Sequence, residues 1–425
     1  MNTILVIVIV VNIIIALLFS LGAAPILVWV ERRVAGFIQD RLGPNRCNIA
    51  GIRLGGLIQS FADMLKLVFK EDFRAGAIKE KFVFMLAPVI VFASAFLSYM
   101  VMPFADNLTI GKQTFVMQGL PTNLGILWFL AFAGLSIYGI ILGGWASNNK
   151  YSLLGSIRAG AQVISYEASM TLAIISVLIT YGSVNLVDMV NFQSKLLFGF
   201  LPAWGVVMQP LAAIIFIVTA FAEANRTPFD IAEGESEIVG GYHTEYSAMK
   251  FGLFFVGEYV AMSASSALIV TLFFGGYNLP WLGTQSLKDN FTLIMEVIIV
   301  LLPILSFFFG RWILKNNIWP KADDIRNRES RWLIRALVMI NVVVIVVLGY
   351  FLYSGIGSNG VNIAVALIQI ATFAIKLLLM NFVFVWVRWT LPRFRYDQLQ
   401  YLGWRILLPL SIANIFITAL VVVGV

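Results

Sequence analysis

Residues 4–30 read ILVIVIVVNIIIALLFSLGAAPILVWV, an uncharged run long enough to decide the class of fold. A helix of about twenty apolar residues covers the roughly 30 Å of hydrocarbon in a bilayer. No basic segment precedes the run, and it leads into Glu31-Arg32-Arg33 rather than a small-residue cleavage site. It therefore reads as a helix of the mature protein and not as a signal peptide. Similar runs recur near 82–103, 123–147, 162–181, 205–224, 250–275, 291–314, 332–353, 361–388 and 402–424, which predicts ten spanning helices. Of the 425 residues, 60% are hydrophobic and 12% charged, where a soluble domain carries about a quarter charged. A soluble globular enzyme and a disordered chain are both excluded. The expected fold is an all-α polytopic membrane bundle, one domain over 1–425.

Lysine and arginine set the expected sidedness. Loops after the odd-numbered spans hold about 25 basic residues and loops after the even-numbered spans about 3. The alternation requires an even number of spans with both termini on the outer side. A bacterial inner membrane is the expected setting, ahead of an organellar one. The formal charge of +7 belongs to these loops, and nucleic acid is not an expected partner.

Scarce residue types narrow the chemistry. There is one histidine, His243, and one cysteine, Cys47. An iron–sulfur cluster needs about four thiolates and a bis-His haem two imidazoles. Neither can be held by this chain alone, and no metal site, disulfide or catalytic cofactor is expected within it.

Two segments outside the spans stand out. Over 53–70, Leu54, Leu57, Ile58, Phe61, Met64, Leu65 and Val68 recur at helical spacing opposite Gln59, Asp63, Lys66 and Lys70. This predicts an amphipathic helix lying in the membrane interface or against a partner. Over 225–249 the chain is too polar to span and carries Asp230, Glu233, Glu235, Glu237 and Glu245. Clustered carboxylates can share protons, and His243 could join them, although such runs are most often solvated faces.

Charges inside the spans are costly in hydrocarbon and so point to function. Glu167, Glu223 and Glu258 are the candidates for a proton path; the alternative is that they are neutral, hydrogen-bonded packing groups. Lys376, near the middle of the ninth span, reads rather as a partner for one of these carboxylates than as part of the path. Glu296 lies nearer an outer end. Gly355-Ile356-Gly357-Ser358-Asn359-Gly360 spells GxGxxG, but the dinucleotide fingerprint needs a strand before it and a helix after. Here it joins two membrane helices and reads as a turn.

Five blocks carry a resemblance. ERRVAGFIQDRLGPNR (31–46), LIQSFADMLKL (57–67), GWASNNKYSLLGSIRAGAQVISYE (144–167), AEANRTPFDIAEGESEIVGGYHTEYS (222–247) and RFRYDQLQYLGWRILLPL (393–410) resemble the quinone-chamber membrane subunit, the H subunit, of respiratory complex I. The resemblance implies a membrane component of the proton-translocating NADH:quinone oxidoreductase that helps enclose a quinone-access chamber. Quinone is then a substrate, membrane lipid and the other membrane-arm and peripheral-arm subunits are partners, and FMN and iron–sulfur clusters belong to those partners. Carried over by position, Glu31, Arg32, Phe61, Asp63, Lys66, Arg226, Phe229 and Asp230 fall at the chamber. Glu167, Glu223, Glu233, Glu235, Glu237 and Glu258 fall on an acidic proton path. No catalytic residue is expected in this chain alone. The family has eight helices, so the two spans within 283–360 read as an insertion expected at the periphery. A related hydrogenase-type or ferredoxin-linked complex and, further off, a stand-alone ion transporter are the rival readings.

Overall fold

The computed structural model describes residues 3–76, 78–231, 240–316, 325–355 and 357–424. The first expected span is two helices, α1 (Thr3–Ser20) and α2 (Ala23–Ile38). They bend at Gly22, where a Cβ would stand 2.6 Å from the Leu18 carbonyl oxygen. Because α2 runs on to Ile38, Glu31, Arg32 and Arg33 are helical rather than in the loop where the sequence places them. A tight turn at Leu54–Gly56 leads into the amphipathic helix α3 (Ile58–Phe69). Next come α4 (Lys81–Tyr99) and α5 (Gly125–Ala146), packed against each other and linked through a hairpin of β1 (Leu108–Ile110) and β2 (Gln113–Phe115).

The helix α6 (Lys150–Tyr181) starts well ahead of the span expected at 162–181. Asn149 caps it, its side chain accepting from the Tyr151 amide at 3.0 Å, as short polar side chains do at helix starts. Its first turns read as polar in sequence, yet Ser152, Gly155, Ser156 and Ala159 are buried. They form a small-residue face, and at Gly144 a Cβ would stand 2.2 Å from the Ser156 hydroxyl. Small residues let helices approach closely where lipid offers no hydrophobic contrast.

After α7 (Leu186–Phe192) and the single turn α8 (Gly205–Met208) comes α9 (Pro210–Glu223). The sequence predicts one continuous span at 205–224. Instead the backbone breaks at Gln209, and Pro210 opens a helix of 14 residues, about 21 Å long. Buried partners stabilise the break. Gln209 Nε2 donates to Thr180 and Thr418 at 2.9 and 3.0 Å, and its Oε1 accepts from Asn414 at 3.2 Å. Among the described residues nine helices are long and apolar enough to cross a membrane, and α9 is the shorter tenth.

α10 (Ala248–Phe273) is the axis of the bundle. Its residues from Val260 to Phe273 are buried except Ala261, with Ser263, Ala264, Ser265, Ser266 and Ala267 allowing close neighbours. Around it lie the buried rings of Tyr166, Phe216, Phe373 and Phe384. The short α11 (Thr284–Asp289) precedes α12 (Phe291–Asn316) and α13 (Ile325–Ser354), which pack on each other. Both expose most of their apolar side chains, and Glu296 is exposed on α12. α14 (Ser358–Thr390) returns to the centre. α15 (Tyr396–Tyr401) then runs through a π-helical turn into α16 (Leu408–Gly424). Gly355 follows α13 and Gly357 caps α14, so the Ser358-Asn359-Gly360 end of the GxGxxG stretch opens that helix rather than lying in a turn; a helix, not a strand, comes before it, and Asn359 accepts from the Gly111 amide at 2.9 Å.

Candidate functional site

The loops that follow the odd-numbered spans meet at one end of the bundle, here called the basic end. There α2, α10, α14 and the chain leaving α9 bring four charges together, three of them buried and Arg388 partly exposed. Arg226 is 3% exposed and Glu31 and Glu258 are each 7% exposed. Arg226 Nη1 lies 3.6 Å from Glu31 Oε2, and its Nη2 lies 4.0 Å from Glu258 Oε2. Arg388 Nη1 approaches Glu31 Oε1 at 2.9 Å. Two tyrosines complete the array. Tyr259 donates to Glu31 at 2.6 Å, and Tyr242 donates to Glu258 at 3.1 Å. The Arg226 guanidinium also stacks over the Tyr259 ring at 4.2 Å. Two carboxylates and two guanidinium groups balance, which is how charges survive burial.

Local structure explains why Arg226 faces inward. α9 ends at Glu223, and Asn225 turns the chain with a φ of +48°. Gln162 donates to the Ala222 carbonyl at 2.9 Å and to Asn225 at 3.2 Å, satisfying the helix end. Glu258 lies about 15 Å along α10 from its start, so the array sits inside the bundle.

Asp230 and Phe229 fix the next stretch. Asp230 accepts from Arg393 at 3.0 Å, and the Phe394 amide donates to the Pro228 carbonyl at 3.0 Å. Phe229 is buried against the rings of Tyr166 and Phe394, at 5.3 and 5.4 Å. Its place is in the wall behind the array.

On α3 the first turns face the protein, with Ile58 buried and Gln59 and Asp63 half-buried. Asp63 pairs with Arg32 at 2.5 Å and accepts from Gln59 at 3.1 Å. Ser60 is buried, while Phe61, Met64, Leu65, Val68 and Phe69 are exposed, as is Lys66. The chain therefore presents an uncovered apolar ledge beside the buried charges.

Glu223 and Glu167 form a second group. The Glu223 carboxylate interacts electrostatically with Glu167 across α9 and α6, and Glu223 Oε2 is buried with no hydrogen-bond partner among the described residues. Glu167 is half-buried, opening onto a lateral groove lined by Ile164, Ala168, Thr171 and Leu172. Glu233, Glu235 and Glu237 lie outside the described residues. Of the same acidic stretch, Glu245 accepts from Asn149 at 2.7 Å, and His243 packs against the rings of Tyr242 and Phe251. Both hold the loop against α6 and α10.

Lys376 meets backbone carbonyls rather than the carboxylate partner expected from the sequence. Its ammonium donates to the carbonyls of Phe274, Gly276 and Asn278 at 2.8, 3.0 and 2.6 Å. Sequence reading misses Arg388, Tyr242, Tyr259 and Gln162. Arg388 does give a signal, being a charge inside a helix that runs to Thr390, but its position at the end of the ninth span reads as that of a loop cation.

An all-α polytopic membrane protein with a buried, balanced Glu–Arg–Glu array at one end is the class that fold and site define. The sequence profile described as NADH dehydrogenase matches residues 10–321 and 332–419. The chain belongs to the NADH dehydrogenase family. It is similar to the NADH-quinone oxidoreductase H subunit of Bdellovibrio bacteriovorus, 36% identical over 97% of this chain and 95% of that one. The H subunit of the Salinibacter ruber enzyme is 39% identical over 94% and 92% of the two chains. That of Flavobacterium johnsoniae is 38% identical over 93% and 89%.

Proposed function

We propose that the chain is the component of a proton-translocating NADH:quinone oxidoreductase that walls part of the quinone route and starts the proton path. It would act in a bacterial inner membrane, with its termini outside, among membrane-arm and peripheral-arm subunits and lipid. Electrons reach quinone from FMN and iron–sulfur clusters in the partner subunits. The observation that carries the reading is Arg226, buried between Glu31 and Glu258 at the foot of α9.

The exposed ledge of α3, with Phe61 and Met64, suits an apolar quinone tail, and Arg32, Asp63 and Lys66 suit its polar head. Sites of this kind are mostly apolar with a few placed polar groups. A charge change at the ledge alters the field at the neighbouring Glu31–Arg226–Glu258 array. Glu258, Glu223 and Glu167 then offer carboxylates in series, ending at the lateral groove beside Glu167. Glu233, Glu235 and Glu237 belong to the same path.

Arg226→Ala tests this in the assembled complex. Quinone-dependent turnover is expected to fall about tenfold or more, because Glu258 loses a buried cation. Reduction of an artificial acceptor by the peripheral arm should hold. Parental quinone turnover in a fully assembled variant would remove Arg226 from the reaction.

A further inference from the structure

On the chamber reading proposed above, we infer that Glu329 of α13 is a positioning residue for the quinone route: its carboxylate fixes the Arg53–Gly55 turn and thereby sets α3 against α2. Glu329 Oε1 accepts from the backbone amides of Arg53 at 3.2 Å and Gly55 at 3.0 Å. Leu54 between them has a φ of +48°, Gly55 +64° and Gly56 +95°. A left-handed stretch of this kind aims nearby N–H groups at one point and makes a seat for an anion. Leu54 bears a steric strain there that a glycine would not, so an outside partner is needed to hold the turn. At Gly56 a side chain is barred outright, since a Cβ would stand 2.0 Å from the Pro44 carbonyl oxygen.

Gly55 is gripped from both sides. Its carbonyl accepts from Trp29 Nε1 and Arg33 Nε, both at 3.1 Å, and from Arg33 Nη2. Trp29 and Arg33 lie on α2, one turn apart and flanking Glu31 and Arg32. The turn is thus the joint where α13 meets α2, and α3 leaves it within three residues. Arg32 pairs with Asp63 in the second turn of α3. A shift at Gly55 moves Asp63, Lys66 and Phe61 together. The peripheral helix pair therefore reaches the ledge, through a contact that its lipid-exposed apolar surface does not suggest.

The experiment compares Glu329→Ala, Glu329→Gln and Asp63→Asn in the oxidoreductase complex purified from its own membrane. Turnover is measured against quinone concentration and against an artificial acceptor of the peripheral arm. Glu329→Ala is expected to raise the quinone KM about fivefold to tenfold, the scale of lost charge-assisted hydrogen bonds. Artificial-acceptor reduction should stay within about twofold of the parent, since it does not pass through α3, and quinone KM should move more than kcat. Glu329→Gln keeps an accepting oxygen and should return KM to within about threefold of the parent. A parental KM in Glu329→Ala, with a raised KM in Asp63→Asn, overturns the role of Glu329 and leaves the chamber reading intact. Parental KM in both overturns the chamber reading as well. Should Glu329→Ala fail to assemble, adding Leu54→Gly decides, because glycine holds the left-handed turn unaided. Recovered assembly supports the proposal, and continued failure overturns it.

Discussion

Tyr259 and Glu31 stand 228 residues apart in the chain and share the shortest hydrogen bond of the buried array, 2.6 Å from phenol to carboxylate. The bond joins α10 to α2, and the same phenol ring carries the Arg226 guanidinium. Tyr259→Phe keeps that ring and removes only the donor. The expected cost is about 1 kcal/mol, the scale of polar contacts between membrane helices. Quinone turnover should fall several-fold while the complex still assembles, whereas Tyr242→Phe, acting on Glu258, should change proton uptake more than KM. Thermal inactivation and quinone titration of the purified complex check the first, and proton uptake in reconstituted vesicles beside the quinone titration checks the second.

Glu223 and Glu258 occupy different groups of the site and are tested as a pair. Glu223→Gln and Glu258→Gln each keep a hydrogen-bonding amide and lose the exchangeable proton. Both are expected to fold and assemble, and both to reduce quinone reduction coupled to proton uptake in reconstituted vesicles. If both variants pump at the parental ratio, the carboxylates are packing groups, and the acidic series has to be abandoned.

Asp72 gives a pH dependence at the basic end that is independent of the reaction. The Lys250 ammonium, 2.9 Å away, holds this carboxyl below its ordinary value of 3.8 through a hydrogen bond, with Arg74 adding to the effect. A carboxyl depressed on folding contributes stability above its unfolded value and loses it as pH falls through the folded one. Asp72 is exposed, so solvent screening keeps this contribution small. Amide protection of the 70–76 segment should therefore be slightly higher at neutral pH and fall modestly below about pH 4. Amide exchange of that segment against pH reads the change, and in Asp72→Asn this pH dependence should be absent.

What is legible in the sequence follows from how strongly a residue contradicts its surroundings. Glu223 and Glu258 sit in apolar runs, and no soluble-surface reading competes with them there. The spans are legible for the same reason. Arg388 sits in the last turns of its helix, where a basic residue is ordinary at a membrane boundary, so its role beside Glu31 is hidden. The 150–161 stretch reads as loop because Lys150, Arg158 and its serines look polar, yet inside a bundle small polar side chains are a packing surface. The break at Gln209 does leave a trace, Pro210 within an apolar run. Partners as distant as Thr418 and Asn414 are what stabilise it, and spacing along the chain cannot disclose them. Glu329 is the same case at longer range: its partner turn is set by three consecutive left-handed residues, which no periodicity encodes.

The enclosure of α10 constrains how the protein can be made. Of the helices packed on α10, all but α14 precede it in the chain, so it enters a site that is already largely walled. The preceding segment delivers Arg226 at the adjoining membrane boundary, so a counter-charge is on hand as Glu258 inserts with α10. The pairing thus serves biogenesis as well as the finished fold. Glu31 is already in place on α2, and Arg388, on one of the last helices, completes the array. Variants of Arg226 should then lower the yield of inserted chain even in membranes that contain no partner subunit at all.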